Sequence, residues 1–285
     1  MSEALVLCRF VHFIVVLMLF GAWLFRPLLL TDEAPQVDRY LARLARWLAA
    51  MALVSGIAWA LLITASMAGS TAAAFDPDTL ARVLGNTFFG QVWRWHLLIN
   101  AALLALLFTP WRSNMPLRLG LSALLLATLA PVGHGAMLDG LSGQLLIFNQ
   151  IVHLTCVAAW LGGLLLLVLI LRQPTEPVNE VLRRFSGIGY ALVAGLLITG
   201  LINVRVLTGQ WWPTPLFNGF ALILLIKALT VLGMLGLALF NRLRINDCEQ
   251  RMETLRRSVM LEWLLGIGAV AAVSLLGTLP PMITT

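Results

Sequence analysis

Eight stretches of mostly apolar residues, separated by short segments rich in Arg, Pro, Asp and Gly, constrain this chain more than any other feature. A helix needs about 20 apolar residues to cross a bilayer, because each residue adds about 1.5 Å to a path of about 30 Å. No water is present in hydrocarbon to bond the backbone, so a span of this kind must be helical or part of a closed barrel. Long unbroken apolar runs are helical. They predict helices at 5–24, 46–68, 92–108, 117–136, 149–171, 186–207, 217–240 and 259–279. The expected fold is all-α, a polytopic membrane helical bundle of eight transmembrane helices forming a single domain over 1–285. With 60% hydrophobic and 11% charged residues, little chain is left for a soluble domain.

The basic residues report orientation. A pI near 10.2 and a formal charge of +6 do not indicate nucleic acid here, because the charges sit in short connections between apolar runs, where they set topology. Fourteen arginines, the first Arg26 and the last Arg257, fall in the first, third, fifth and seventh connections, against Arg9, Arg82, Arg94 and Arg205 on the other side. Basic connections stay cytoplasmic, so both termini are expected outside. The segment LVLCRF has Leu7 where a lipoprotein cleavage box needs a small residue, and the first run reads as a retained helix. Three cysteines without a CxxC pair make no disulfide framework.

In this orientation all four histidines, His12, His96, His134 and His153, lie on the outer side. An imidazole in hydrocarbon is costly and faces a cavity, a partner helix or a functional site. Cys8 with His12, and His153 with Cys156, are four and three residues apart and share a helix face. Thiolate with imidazole suits Cu(I), or Zn(II) in a tetrahedral site. The cysteines read equally well as small buried hydrophobes. His96, between Trp93, Arg94 and Trp95, reads either as a ligand or as an interfacial anchor. His134 stands between Gly133 and Gly135, which let the backbone leave the helix, and Asn149 is one turn from His153, in position to orient its ring. Met67, Met137 and Met282 fall near the same side as thioether candidates. The expected metal set is His12, His134 and His153, with Cys8, Cys156 and His96 as further members. Paired histidines on facing helices serve haem b as well, and a b-type cytochrome is the alternative reading.

Two other features stand out. FVHF at 10–13 and IVHL at 151–154 are offset by 141 residues and each is followed by Trp and small residues, as in a parallel repeat of four plus four helices. Lys227, midway along the seventh run, costs about 2.5–3.5 kcal/mol to insert and requires a partner. Glu262 is the expected one, in a structural ion pair. There is no nucleotide-binding loop, dinucleotide fingerprint, HExxH or nucleophile elbow, so no enzyme is indicated.

PVGHG at 131–135, HLTCVAAWLGGL at 153–164, LRRFSGIG, ITGLIN, ALFNR and LRRSVMLEWLLG followed by LGTLPP occur here in an order that resembles the copper resistance protein D (CopD/PcoD) family of bacterial inner membranes. The resemblance covers the fourth to eighth helices closely and the first more loosely. It implies an eight-helix protein of the inner membrane that takes part in copper uptake or homeostasis. It also implies a separate periplasmic copper-binding partner of the CopC type.

Overall fold

The structure is a computed structural model and describes residues 2–132, 138–172, 174, 176–215, 217, 219–243 and 251–277. Among them the regular structure is helical, with nine α-helices: α1 Ser2–Leu29, α2 Pro35–Ala68, α3 Pro77–Asn86, α4 Phe88–Leu106, α5 Met115–Ala127, α6 Gly140–Arg172, α7 Val178–Thr208, α8 Gly219–Leu243 and α9 Met252–Leu276. Their ends follow local chemistry. Pro35 and Pro77 open α2 and α3, where a missing N–H costs nothing, while Asp76, Thr87 and Asn114 cap α3, α4 and α5 by accepting backbone N–H bonds at 2.9 Å. Gly69 and Gly209 close α2 and α7 in the left-handed conformation, which glycine adopts without a Cβ clash.

Six helices, α1, α2, α6, α7, α8 and α9, have the length and apolarity to cross a membrane, and the chain is a multi-pass membrane protein. The runs at 92–108 and 117–136 become α4, which carries Gln91, Arg94, His96 and Asn100 within its 19 residues, and α5. Thirteen residues make α5 about 20 Å long, short of the hydrocarbon thickness. It ends early because the chain passes into turns from Thr128 to Val132. Four helices begin much earlier than expected, α2 at Pro35, α6 at Gly140, α7 at Val178 and α9 at Met252, because the flanking residues continue the same helices. The short helix α3 was not anticipated; it folds back on α4, where a Cβ at Gly90 would lie 2.1 Å from the Val83 carbonyl oxygen.

Helices α1 and α6 form the centre. They cross at Gly21 and Gly162, where an added Cβ would stand 1.7 Å from the Ala158 carbonyl oxygen or 2.4 Å from the Ala22 nitrogen, so backbone touches backbone. Such contact is how helices associate when lipid removes the hydrophobic drive. Around this axis, α2 packs on α1, α7 on α6, α9 on both, α4 and α5 on the first half, and α8 on α9. Helix α6 is apolar on every face and mostly enclosed, whereas α7 and α8 expose Leu197, Ile198, Leu201, Ile226, Leu229 and Leu232 as a lipid-facing surface.

The connections show which ends share a face. Glu176, between α6 and α7, accepts from the Thr31 and Asp32 amides at 2.8 and 3.0 Å and from Arg184 at 2.5 Å; Arg184 also donates to the Leu29 carbonyl. Arg256 at the start of α9 donates to the Leu171 carbonyl, and Arg26 is paired with Asp38 at 2.6 Å. The ends of α1 and α6 and the starts of α2, α7 and α9 therefore make one arginine-rich face. Arg9, near the start of α1, lies against Gly277 at the end of α9, so both ends of the described chain lie on the opposite face. Burial works to raise the pKa of Glu176, but the hydrogen bonds from Asp32, Arg184 and Thr31 outweigh it and hold the carboxyl below its ordinary range.

Candidate metal site in the first half

The side chains of His12 on α1 and His96 on α4 are fully buried, and their Nε2 atoms face each other at 2.9 Å. Each ring is held from behind by a hydroxyl: His12 Nδ1 lies 2.9 Å from Ser55 Oγ on α2, and His96 Nδ1 lies 2.7 Å from Thr128 Oγ1 just beyond α5. The hydroxyls have carbonyl acceptors of their own, Met51 at 2.6 Å and Leu125 at 2.7 Å. Where both hydroxyl protons stay on those carbonyls, each Nδ1–H donates to its hydroxyl oxygen and each Nε2 presents a lone pair to the other. This tautomer assignment follows from the hydrogen-bond network. Two converging lone pairs repel unless a cation lies between them, and the arrangement matches the way a metal-binding histidine is oriented through its second nitrogen.

Tryptophans close the surroundings. Trp93 stacks on His96 with ring centroids 4.5 Å apart and lies 5.4 Å from His12, Trp59 meets His12 edge-on at 5.6 Å, and Trp93 Nε1 donates to the Gly56 carbonyl at 2.9 Å. Arg9 sits over Trp59. Gly56 packs closely here, since a Cβ there would stand 3.1 Å from Leu97 Cδ2 and 3.4 Å from His12 Cε1. Cys8, one turn before His12, donates its thiol to the Ser55 carbonyl at 3.2 Å, so thiol and imidazole converge on the same serine. Trp59 and Trp93 occupy the space beside the rings.

His153 and Cys156 are not brought here. His153 on α6 is bound through Nδ1 to Thr199 Oγ1 on α7 at 2.8 Å, and Thr199 donates to the Gly195 carbonyl. Asn149 does not bond the ring; it donates to the Thr199 carbonyl and to Asn203 Oδ1 at 3.2 and 2.9 Å. Cys156 is buried against Gly195, where a Cβ would lie 2.7 Å from its sulfur. His153 and His12 thus face different neighbouring helices, α7 and α2. His134 and Met137, together with Met282, lie outside the described residues. Met67 is exposed. Among the described residues, no three His, Cys, Asp or Glu side chains cluster as a metal site.

The Lys227–Glu262 ion pair is not formed. Glu262 accepts from Trp160 Nε1 at 2.9 Å and from Asn241 Nδ2 at 3.5 Å. Asn241 lies fourteen residues beyond Lys227 on α8, about 21 Å along the axis, so the register places Lys227 far from the carboxyl. Ser55, Thr128, Thr199, Trp160 and Asn241 give no signal in the sequence, because a hydroxyl, indole or amide in an apolar run carries no periodic pattern. His96, which the sequence reads as an anchor or a ligand, is buried with Trp93, while Arg94 and Trp95 are exposed.

Comparison with known proteins assigns this architecture. Residues 1–145 match the family described as copper resistance protein D-like, N-terminal domain, and residues 179–276 match copper resistance protein D. The inner membrane protein YebZ of Escherichia coli K12 is 32% identical over 289 residues, covering 96% of this chain and 97% of that protein. The copper transport protein CutJ of Bacillus subtilis 168 is 28% identical, covering 76% of this chain and 41% of that protein. The copper resistance protein D of Pseudomonas syringae pv. tomato is 28% identical, covering 56% of this chain and 57% of that protein. No solved structure matches. Full-length similarity to one relative and family matches in both halves place the chain in the copper resistance protein D family.

Proposed function

We propose that this protein receives copper as Cu(I) at the periplasmic face of a bacterial inner membrane and moves it inward, with His12 and His96 as the first intramembrane ligands. Helices α4 and α5 complete an eight-helix bundle with both termini periplasmic, and a soluble copper carrier of the CopC type delivers the ion. No covalent chemistry is involved. The observation that carries the reading is the pair of buried, hydroxyl-anchored imidazoles whose Nε2 atoms meet at 2.9 Å without a carboxylate nearby. A shared proton suits that separation. Two metal–nitrogen bonds of about 2.0–2.1 Å, the zinc–imidazole value, need about 4 Å between the nitrogens. Copper therefore replaces the proton as the rings part by about 1 Å. Cys8, one turn nearer the N-terminal face, supplies a soft sulfur for handing the ion to the pair.

The test is copper analysis of purified protein loaded with Cu(I), with X-ray absorption to count nitrogen neighbours. His12→Ala and His96→Ala each abolish the two-nitrogen signal and lower bound copper, whereas His153→Ala retains both. Retention of copper in both first-half variants refutes the site. Because metal displaces a proton, copper binding weakens as pH falls.

A further inference from the structure

Glu262 is the one acidic side chain buried within a described membrane-crossing helix, at 2% exposure near the middle of α9. A carboxyl in that position is costly and marks function unless a cation neutralises it. Its described partners are the neutral N–H groups of Trp160 and Asn241. The charged and titratable groups on the packed helices are engaged or distant. On α8, Arg242 lies over Tyr190, and Lys227 is about 21 Å along the helix from Asn241. On α6, His153 and Arg172 are seven and twelve residues from Trp160, about 10 and 18 Å along the axis. On α1, His12 is bound to His96, Arg9 lies over Trp59 and Arg26 is paired with Asp38. On α9 itself, Arg257 pairs with Glu253 and Arg256 donates to Leu171.

Ser258, one turn from Glu262 on α9 toward the arginine-rich face, has a buried hydroxyl without a partner among the described residues. An unmade hydrogen bond in that environment is unfavourable and points to a bound water or a passing proton.

We propose that Glu262 is an intramembrane proton-binding site, exchanging one proton with the arginine-rich face by way of Ser258. Its carboxylate takes up a proton to become the neutral acid and releases it by the same route, with Trp160 and Asn241 holding the charged form. Its use in driving the cargo rests on the copper reading; proton binding itself does not.

Two arms separate these claims. The first is the infrared difference spectrum of full-length, copper-free protein in lipid bilayers between acid and alkaline buffer. A buried carboxylic acid C=O band appears on acidification, disappears in Glu262→Gln, and has its midpoint moved in Trp160→Phe, which keeps the carboxyl if the Gln variant does not fold. Absence of the band in the native protein, its persistence in Glu262→Gln, or an unmoved midpoint in Trp160→Phe overturns the proton site. The second arm is Cu(I) uptake into liposomes with and without an imposed pH gradient. The gradient changes the native rate several-fold and leaves Glu262→Gln unaffected; an equal response in the variant overturns coupling. Loss of copper binding by the native protein with the infrared band intact would refute the copper reading alone.

Discussion

His12 and His96 come from helices separated by 84 positions in the chain, yet their nitrogens approach to hydrogen-bond distance because a serine and a threonine hold each ring from behind. In low dielectric this arrangement is sensitive to single atoms, since an orphaned imidazole N–H costs about 1–3 kcal/mol. Ser55→Ala removes the acceptor of His12 Nδ1 and frees the ring to turn. Partners of this kind support metal affinity by about 10- to 100-fold. A Cu(I) competition titration with a chromophoric chelator should therefore show a loss in that range. Ser55→Thr, which retains the hydroxyl, should restore most of it. A Ser55→Ala affinity equal to that of the native protein would remove the hydroxyl from the site.

At the scale of the helix, the contact between α1 and α6 depends on two glycines. The added Cβ of Gly21→Ala would fall 1.7 Å from a backbone oxygen, which no side-chain rotation relieves, so the helices must separate. Overpacking of this kind costs about 1–3 kcal/mol, and this variant should lie at or above the upper end in thermal unfolding. Gly236→Ala on α8 meets nothing within 4 Å and gains helix propensity, so its unfolding temperature should not fall. Equal behaviour of the two variants would mean that the crossing does not set stability. The offset of 141 residues that relates His12 to His153 also relates Gly21 to Gly162, and in both halves the histidine is anchored by a hydroxyl of the following helix, Ser55 or Thr199.

Over the whole molecule, the arginine-rich face is tied together by Glu176, which joins the α6–α7 connection to the α1–α2 connection and to Arg184. Its folded pKa is below the ordinary value, so in acid the unfolded chain binds the proton first and stability rises with pH through that window. The contribution is complete above the ordinary glutamate range and is lost as pH falls through the depressed folded value. Hydrogen exchange at the Thr31 and Asp32 amides, corrected for intrinsic rate, should accelerate below that range in the native protein. In Glu176→Gln it should already be fast at neutral pH and show no such acid step. An acid step of native size in the Gln variant would assign the tie to another group.

The membrane location and the apolar runs that become the six long apolar helices were legible from residues alone, because helix length and apolarity are local properties. Only the tertiary structure decided that His12 meets His96 and not His153, and that Glu262 meets Trp160 and Asn241 and not Lys227. Partner choice across helices depends on rotation and on registers many residues apart, and an apolar run is nearly silent about which of its faces packs inward. The Gly21–Gly162 crossing and the antiparallel register of α8 and α9 supply that information, through backbone approach that a one-dimensional pattern does not encode.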